Sequence, residues 1–149
     1  MKKSIYTLVA VASLLLTPTA IFASNADSSA NLQKNDASSY KSIDAKTLKS
    51  WIDSGKEVQI IDARPKKYDK GDVIIGAKFL PFDSDEKTIE KSLPSKDATI
   101  VVYCASEKCP ASRFLSDQLV RLGYRNVYKY AGGIADWIDK GYPTGKVKA

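Results

Sequence analysis

Apolar residues fall into short runs separated by Gly, Pro and charged residues, and their period changes along the chain. Leu48, Trp51 and Ile52 recur at spacings of three and four, which places them on one face of a short helix. Asp44 caps that helix and Gly55 ends it. Residues 58–61 are a β-branched run, read as a buried strand that ends at Asp62. Pro65 and Gly71 punctuate a loop, and residues 73–80 form a strand-like stretch around Gly76. Residues 83–93 read as a helix with acidic residues in its first turn, where the helix dipole favours them. Residues 98–103 read as a strand. Residues 110–122 read as a helix, with Pro110 in its first turn, Phe114, Leu115, Leu119 and Leu122 on one face, and Gly123 after its end. Residues 126–130 are a last short strand, followed by Gly132-Gly133 and a short helix through Trp137. Strands alternating with helices predict an α/β domain with a mainly parallel sheet over residues 43–146.

The amino-terminal pattern is of another kind. Lys2 and Lys3 precede an apolar run over residues 5–16, and Ala20, Ala23 and Ala26 offer small residues for cleavage. This reads as a secretory signal peptide over residues 1–23, with cleavage as late as 26. Ser13, Thr17, Pro18 and Thr19 interrupt the run, leaving it short of the roughly 20 apolar residues of a membrane span. The expectation is a periplasmic or secreted protein in an oxidising compartment, with no stable membrane anchor after cleavage. Residues 24–42 are mostly Ser, Ala, Asn and Asp and read as a flexible lead-in.

Composition narrows the chemistry. The chain has 149 residues, with 44% apolar and 27% charged, and suits one globular domain. Its net charge of +6 falls to +4 when cleavage removes Lys2 and Lys3. The remaining basic residues are dispersed and not interleaved with aromatic ones, so a nucleic-acid partner is not expected. There is no His, which removes imidazole bases, His metal ligands and Cys-His or Ser-His couples. Two Cys cannot complete a structural zinc site, and neither metal nor cofactor is expected.

One of those cysteines occupies a place where α/β sheets bind ligands. Cys104 follows the strand at residues 98–103 and precedes the helix opening at Pro110, beyond a strand's carboxyl end. The loop Ala105, Ser106, Glu107, Lys108 and Cys109 could curl its N–H groups inward as an anion-binding nest at a helix N-terminus. Such a setting stabilises a thiolate and would make Cys104 a nucleophile without a His. The competing reading of Cys104 is a small buried residue at a strand end.

The order and spacing of several segments resemble the rhodanese (sulfurtransferase) family. They are Ile60-Ile61-Asp62-Ala63-Arg64-Pro65, Tyr68 through Gly76-Ala77 and Pro81, and Val101-Val102-Tyr103-Cys104. The match continues through Ser112, Leu119, Gly123-Tyr124, Asn126-Val127 and Gly132-Gly133 to Trp137, Gly141 and Pro143. The resemblance implies an α/β fold with a central parallel five-stranded sheet flanked by helices. It also implies that Cys104 accepts a sulfane sulfur as a persulfide and that residues 105–109 hold the bound sulfur through their N–H groups. The implied partners are a small anionic sulfur donor, such as thiosulfate or a persulfide, and a cyanide or thiol acceptor.

Three departures bear on that reading. The stretch Gly71-Asp72-Val73-Ile74-Ile75 replaces the family's frequent Gly-His-Ile; it is one residue longer and lacks the His. Cys109 stands five residues after Cys104, where many members carry an Arg that holds an anionic substrate; Lys108 or Arg113 are candidates to compensate. Related phosphatases and arsenate reductases need His before the Cys and Arg six residues after it, where this chain has Tyr103 and Pro110.

Cys109 has two readings: a small residue packed beneath the loop, or a thiol that attacks a persulfide or sulfenic acid on Cys104 and closes a disulfide. The second would require a redox partner. Asp62 and Arg64 are supporting candidates, either orienting loop or substrate or forming a structural pair; the structural pair is preferred. The leading expectation is an exported sulfurtransferase working through a Cys104 persulfide. Its rivals are a non-catalytic binding or sulfur-delivery module and a thiol-disulfide protein using both cysteines.

Overall fold

The alternation of β-branched and aromatic residues along the strands sorts the core onto two faces of one sheet. In the computed structural model, which describes residues 40–68 and 71–146, the strands are β1 (Lys41–Ile43), β2 (Gln59–Asp62), β3 (Asp72–Ile74), β4 (Lys78–Phe79), β5 (Thr99–Tyr103), β6 (Asn126–Tyr130) and β7 (Thr144–Lys146). The helices are α1 (Ala45–Asp53), α2 (Glu86–Ser92), α3 (Ala111–Arg121) and α4 (Gly133–Asp139). Five strands form a wholly parallel sheet in the order β1-β6-β5-β2-β4, as expected. β3 and β7 pair separately as an antiparallel ribbon.

Ile60, Val101, Tyr103 and Tyr130 face a cluster that includes Leu48 of α1 and Trp137 of α4. Ile61, Ile100, Val102 and Val127 face the other way, against Ile89 of α2 and Leu115 and Leu119 of α3. Helices on both faces are what a parallel sheet requires, since both of its faces need cover from water. β5 lies in the middle of the five strands and is buried from Ile100 to Tyr103. Asp44 caps α1 by accepting from the Thr47 N–H at 2.7 Å, and Asp85 caps α2 from the Thr88 N–H at 2.7 Å. No side chain caps α3, which starts after Pro110 and leaves its first N–H groups for other acceptors.

Several expectations are corrected. Residues 73–80 are not one strand: Gly76, at φ +79°, separates β3 from β4, and the two pair in different sheets. α2 starts at Glu86 rather than near Asp83, because Asp85 provides the cap and residues 82–83 form a turn. Phe114 is exposed on α3, since it lies about 100° around the helix from buried Leu115. Its ring packs on Phe82 at 5.9 Å between centroids. β1 takes Lys41 and Ser42 from the end of the segment read as a lead-in, because both pair with β6. The expected signal peptide and residues 24–39 lie outside the described residues. Among the described residues, no helix is long and apolar enough to cross a membrane.

Candidate active site

Three neighbouring strands end together. Asp62 of β2 is in register with Tyr103 of β5, which is in register with Tyr130 of β6. The residues that follow, Ala63-Arg64, Cys104 and Ala131-Gly132-Gly133, therefore emerge at one carboxyl edge of the sheet.

α4 fixes the start of the loop after β5. The Cys104 carbonyl accepts from the Ile134 N–H at 2.9 Å and the Ala105 carbonyl accepts from the Ala135 N–H at 3.0 Å. Gly133 makes this contact possible. It adopts φ +68°, and a Cβ there would stand 2.5 Å from the Cys104 carbonyl oxygen and 2.7 Å from the Ser106 nitrogen. Farther along, the Cys109 N–H closes a turn onto the Ser106 carbonyl at 3.0 Å. Among the described residues, the N–H groups of Ser106, Glu107 and Lys108 have no acceptor, so they remain available to an anion.

Both thiols sit where this loop meets α3. Cys104 is buried, and its sulfur donates toward the Cys109 carbonyl at 3.1 Å and the Ser106 carbonyl at 3.6 Å. Burial and contact with Cys109 hold the Cys104 thiol above its ordinary range, against hydrogen bonds from the Ser112 hydroxyl and N–H. Burial also pushes Cys109 up, but hydrogen bonds from the Cys104 thiol and the Ala105 and Ala111 N–H groups outweigh it, and the net direction is down. Burial thus works against the thiolate expected at Cys104, and the Ser112 hydrogen bonds work for it. The two shifts run in opposite directions, up at Cys104 and down at Cys109.

Beside the thiols lies a cavity of ≈ 310 Å³ whose walls include Cys109, Ser112, Lys108, Arg113, Lys129 and Glu107. Three cations against one carboxylate suit an anion. Lys108 and Arg113, the two expected substitutes for the missing Arg, thus border the same space. Lys129 was not singled out from the sequence. Its signal was the period of two from Val127, which puts it on the α3 side of β6, where its ammonium lies 5.8 Å from the Tyr40 ring centre.

Asp62 and Arg64 form the structural pair. Arg64 donates through Nε to both Asp62 oxygens at 3.0 and 2.9 Å and through Nη2 to Oδ2 at 2.6 Å. A further Arg64 bond, at 2.7 Å, reaches the Asp72 carbonyl. The Tyr103 hydroxyl donates to Asp62 at 3.2 Å and accepts from the Ile74 N–H at 3.1 Å. Burial opposes the Arg64 charge and Asp62 more than restores it, so its pKa rises. This network ties Arg64, Asp72 and Ile74 to the ends of β2 and β5.

The fold has parallels in known proteins. Residues 44–140 match the model of the rhodanese-like domain. A mitochondrial protein of Schizosaccharomyces pombe, named as a candidate thiosulfate sulfurtransferase, is 32% identical over 96 residues, or 57% of this chain and 66% of its own length. The chain thus spans slightly less than two thirds of that relative. The crystal structure of a rhodanese-related protein from Thermoplasma volcanium is 27% identical with a TM-score of 0.58, over 71% of this chain and 98% of that one. The BH2092 protein from Bacillus halodurans shares the fold, with a TM-score of 0.65 at 24% identity over 73% of this chain and 78% of its own. This chain belongs to the rhodanese-like domain family.

Proposed function

We propose that this chain is a sulfurtransferase in which Cys104 takes a sulfane sulfur from a small anionic donor and passes it to cyanide or a thiol. One juxtaposition carries the reading: Cys104 lies at the carboxyl end of the middle strand, in contact with Cys109 and Ser112, which border a cation-lined cavity. A dianion such as thiosulfate suits Lys108, Arg113 and Lys129, together with the free N–H groups of residues 106–108.

Cys104 must lose its proton to attack, and Cys109, the neighbouring thiol whose pKa is lowered, is the group that takes it. The Cys104 thiolate then bonds to the outer sulfur of thiosulfate, the sulfur–sulfur bond of the donor breaks, and sulfite leaves with the electron pair. The loop N–H groups stabilise negative charge on the outer persulfide sulfur, as oxyanion-hole donors do. A nucleophilic acceptor removes that sulfur and restores Cys104. The pattern of residues 1–23 supports placing this chemistry in the periplasm or outside the cell.

The test is thiocyanate formation from cyanide, with thiosulfate and glutathione persulfide as alternative donors. Turnover is expected with at least one donor, and Cys104→Ser should lower it by at least about a thousandfold while leaving the fold intact. Absence of thiocyanate with both donors, or activity retained in Cys104→Ser, overturns the reading.

A further inference from the structure

Sulfur transfer uses Cys109 only as a proton acceptor, yet the residue is placed for more than that. The turn from Ser106 to Cys109 folds the loop back so that the Cys104 sulfur lies 3.1 Å from the Cys109 carbonyl oxygen. Two covalent bonds separate that oxygen from the Cys109 Cα, which puts the Cα within about 6 Å of the Cys104 sulfur. The two thiols also shift each other's ionisation, as neighbouring groups do. Cys109 also borders the cavity, so it meets both the buried sulfur and the solvent side.

We infer that Cys109 resolves the Cys104 persulfide, closing a Cys104–Cys109 disulfide and releasing hydrosulfide. The domain would then also work as a persulfide reductase. This inference rests on the sulfurtransferase reading, which supplies the persulfide. The step starts from Cys104 carrying the outer sulfur as an anion, with Cys109 as a thiol. The Cys109 proton moves to the outer sulfur, and the Cys109 thiolate attacks Cys104 Sγ. The bond from Sγ to the outer sulfur breaks as the bond between the two Sγ atoms forms, and HS⁻ leaves with the electron pair. The sulfane sulfur gains two electrons, one from each cysteine sulfur. A dithiol reductant must then open the disulfide by exchange and return both thiols.

The experiment uses fully reduced protein, freed of reductant and kept anaerobic, with one equivalent of thiosulfate or glutathione persulfide. Dissolved sulfide and intact mass are followed against protein without donor and donor without protein. Wild-type protein should release up to one hydrosulfide per chain and end about 2 Da below its reduced mass, having lost two thiol hydrogens. At a pH high enough for Cys104 to ionise without Cys109, Cys109→Ser and Cys109→Ala should instead gain about 32 Da, one sulfur, and release no sulfide above the donor control. Wild-type protein that keeps the extra 32 Da without releasing sulfide overturns the inference and leaves the sulfurtransferase reading standing. If neither variant proves folded by circular dichroism, the wild-type mass and sulfide decide alone. Wild-type protein that neither gains sulfur nor releases sulfite or sulfide with either donor overturns the sulfurtransferase reading and this inference with it.

Discussion

At the residue scale, the chemistry turns on how one proton is divided between two sulfurs. Without a His, a cysteine nucleophile needs another base, and Cys109 is the group in contact with Cys104. Its pKa is held down by the Cys104 thiol and by the Ala105 and Ala111 N–H groups, while burial holds that of Cys104 up, so Cys109 is the easier of the two to ionise. Moving the remaining proton from Cys104 to Cys109 gives the attacking thiolate at a fixed fraction of the singly ionised pair. Sulfite release from thiosulfate should therefore rise with pH and level off at the pair's first ionisation. In Cys109→Ser, Cys104 ionises alone in its buried position, and the rise should shift to higher pH. Stopped-flow or quench measurements of sulfite release across the range check this. An unchanged midpoint would remove Cys109 from the proton's path. The place of Cys104 at the carboxyl edge of the sheet was legible in the sequence, because strand, Cys, short loop and helix follow one another from residue 98 to residue 122. The direction of its ionisation was not. That direction depends on which sulfur the N–H groups of Ala105, Ala111 and Ser112 meet after folding.

At the element scale, α4 acts as the clamp of the cysteine loop. Ile134 and Ala135 hold the carbonyls of residues 104 and 105, and Gly133 lets the backbones approach. A Gly133→Ala protein takes on a left-handed residue with a side chain, a cost of about 1–2 kcal/mol. Its Cβ would also stand 2.5 Å from the Cys104 carbonyl oxygen. The melting temperature should fall by about 5–10 °C, and sulfur transfer by at least about tenfold as the loop moves. Wild-type values for both would show that the clamp is dispensable. The sequence made α1, β5, α3 and β6 readable because each pairs a clear apolar period with a Gly stop or a β-branched run. β1, β4 and β7 are only two or three residues long, and Lys-Ser-Ile, Lys-Phe and Thr-Gly-Lys carry no period of their own. Pairing partners far along the chain make them strands.

At the scale of the whole molecule, the parallel sheet gathers its functional groups at one edge and its bracing beside them. Asp62, Arg64 and Tyr103 tie β3 to the ends of β2 and β5, and Asp62 is fully buried. Arg64→Met leaves that carboxylate without its cation, which costs about 3–5 kcal/mol, or about 10 °C or more in melting temperature. Below that temperature the variant should still accept sulfur, since Arg64 does not border the cation-lined cavity. Loss of sulfur uptake with an unchanged melting temperature would instead make Arg64 a substrate-binding group. The parallel architecture followed from the alternation of elements, and the Asp62–Arg64 pair from its place at a strand end. The cavity's third cation, Lys129, needed the fold, because α3 and β6 meet there only in three dimensions.

The central claim is that Cys104 carries the transferred sulfur. Its most direct test is peptide mapping by mass spectrometry of Cys109→Ser protein, loaded anaerobically with thiosulfate or glutathione persulfide at a pH high enough for Cys104 to ionise alone, and then capped with an alkylating agent. The account predicts one additional sulfur, about 32 Da, on Cys104, removed by cyanide. A folded protein that carries no additional sulfur on Cys104 after exposure to either donor contradicts it.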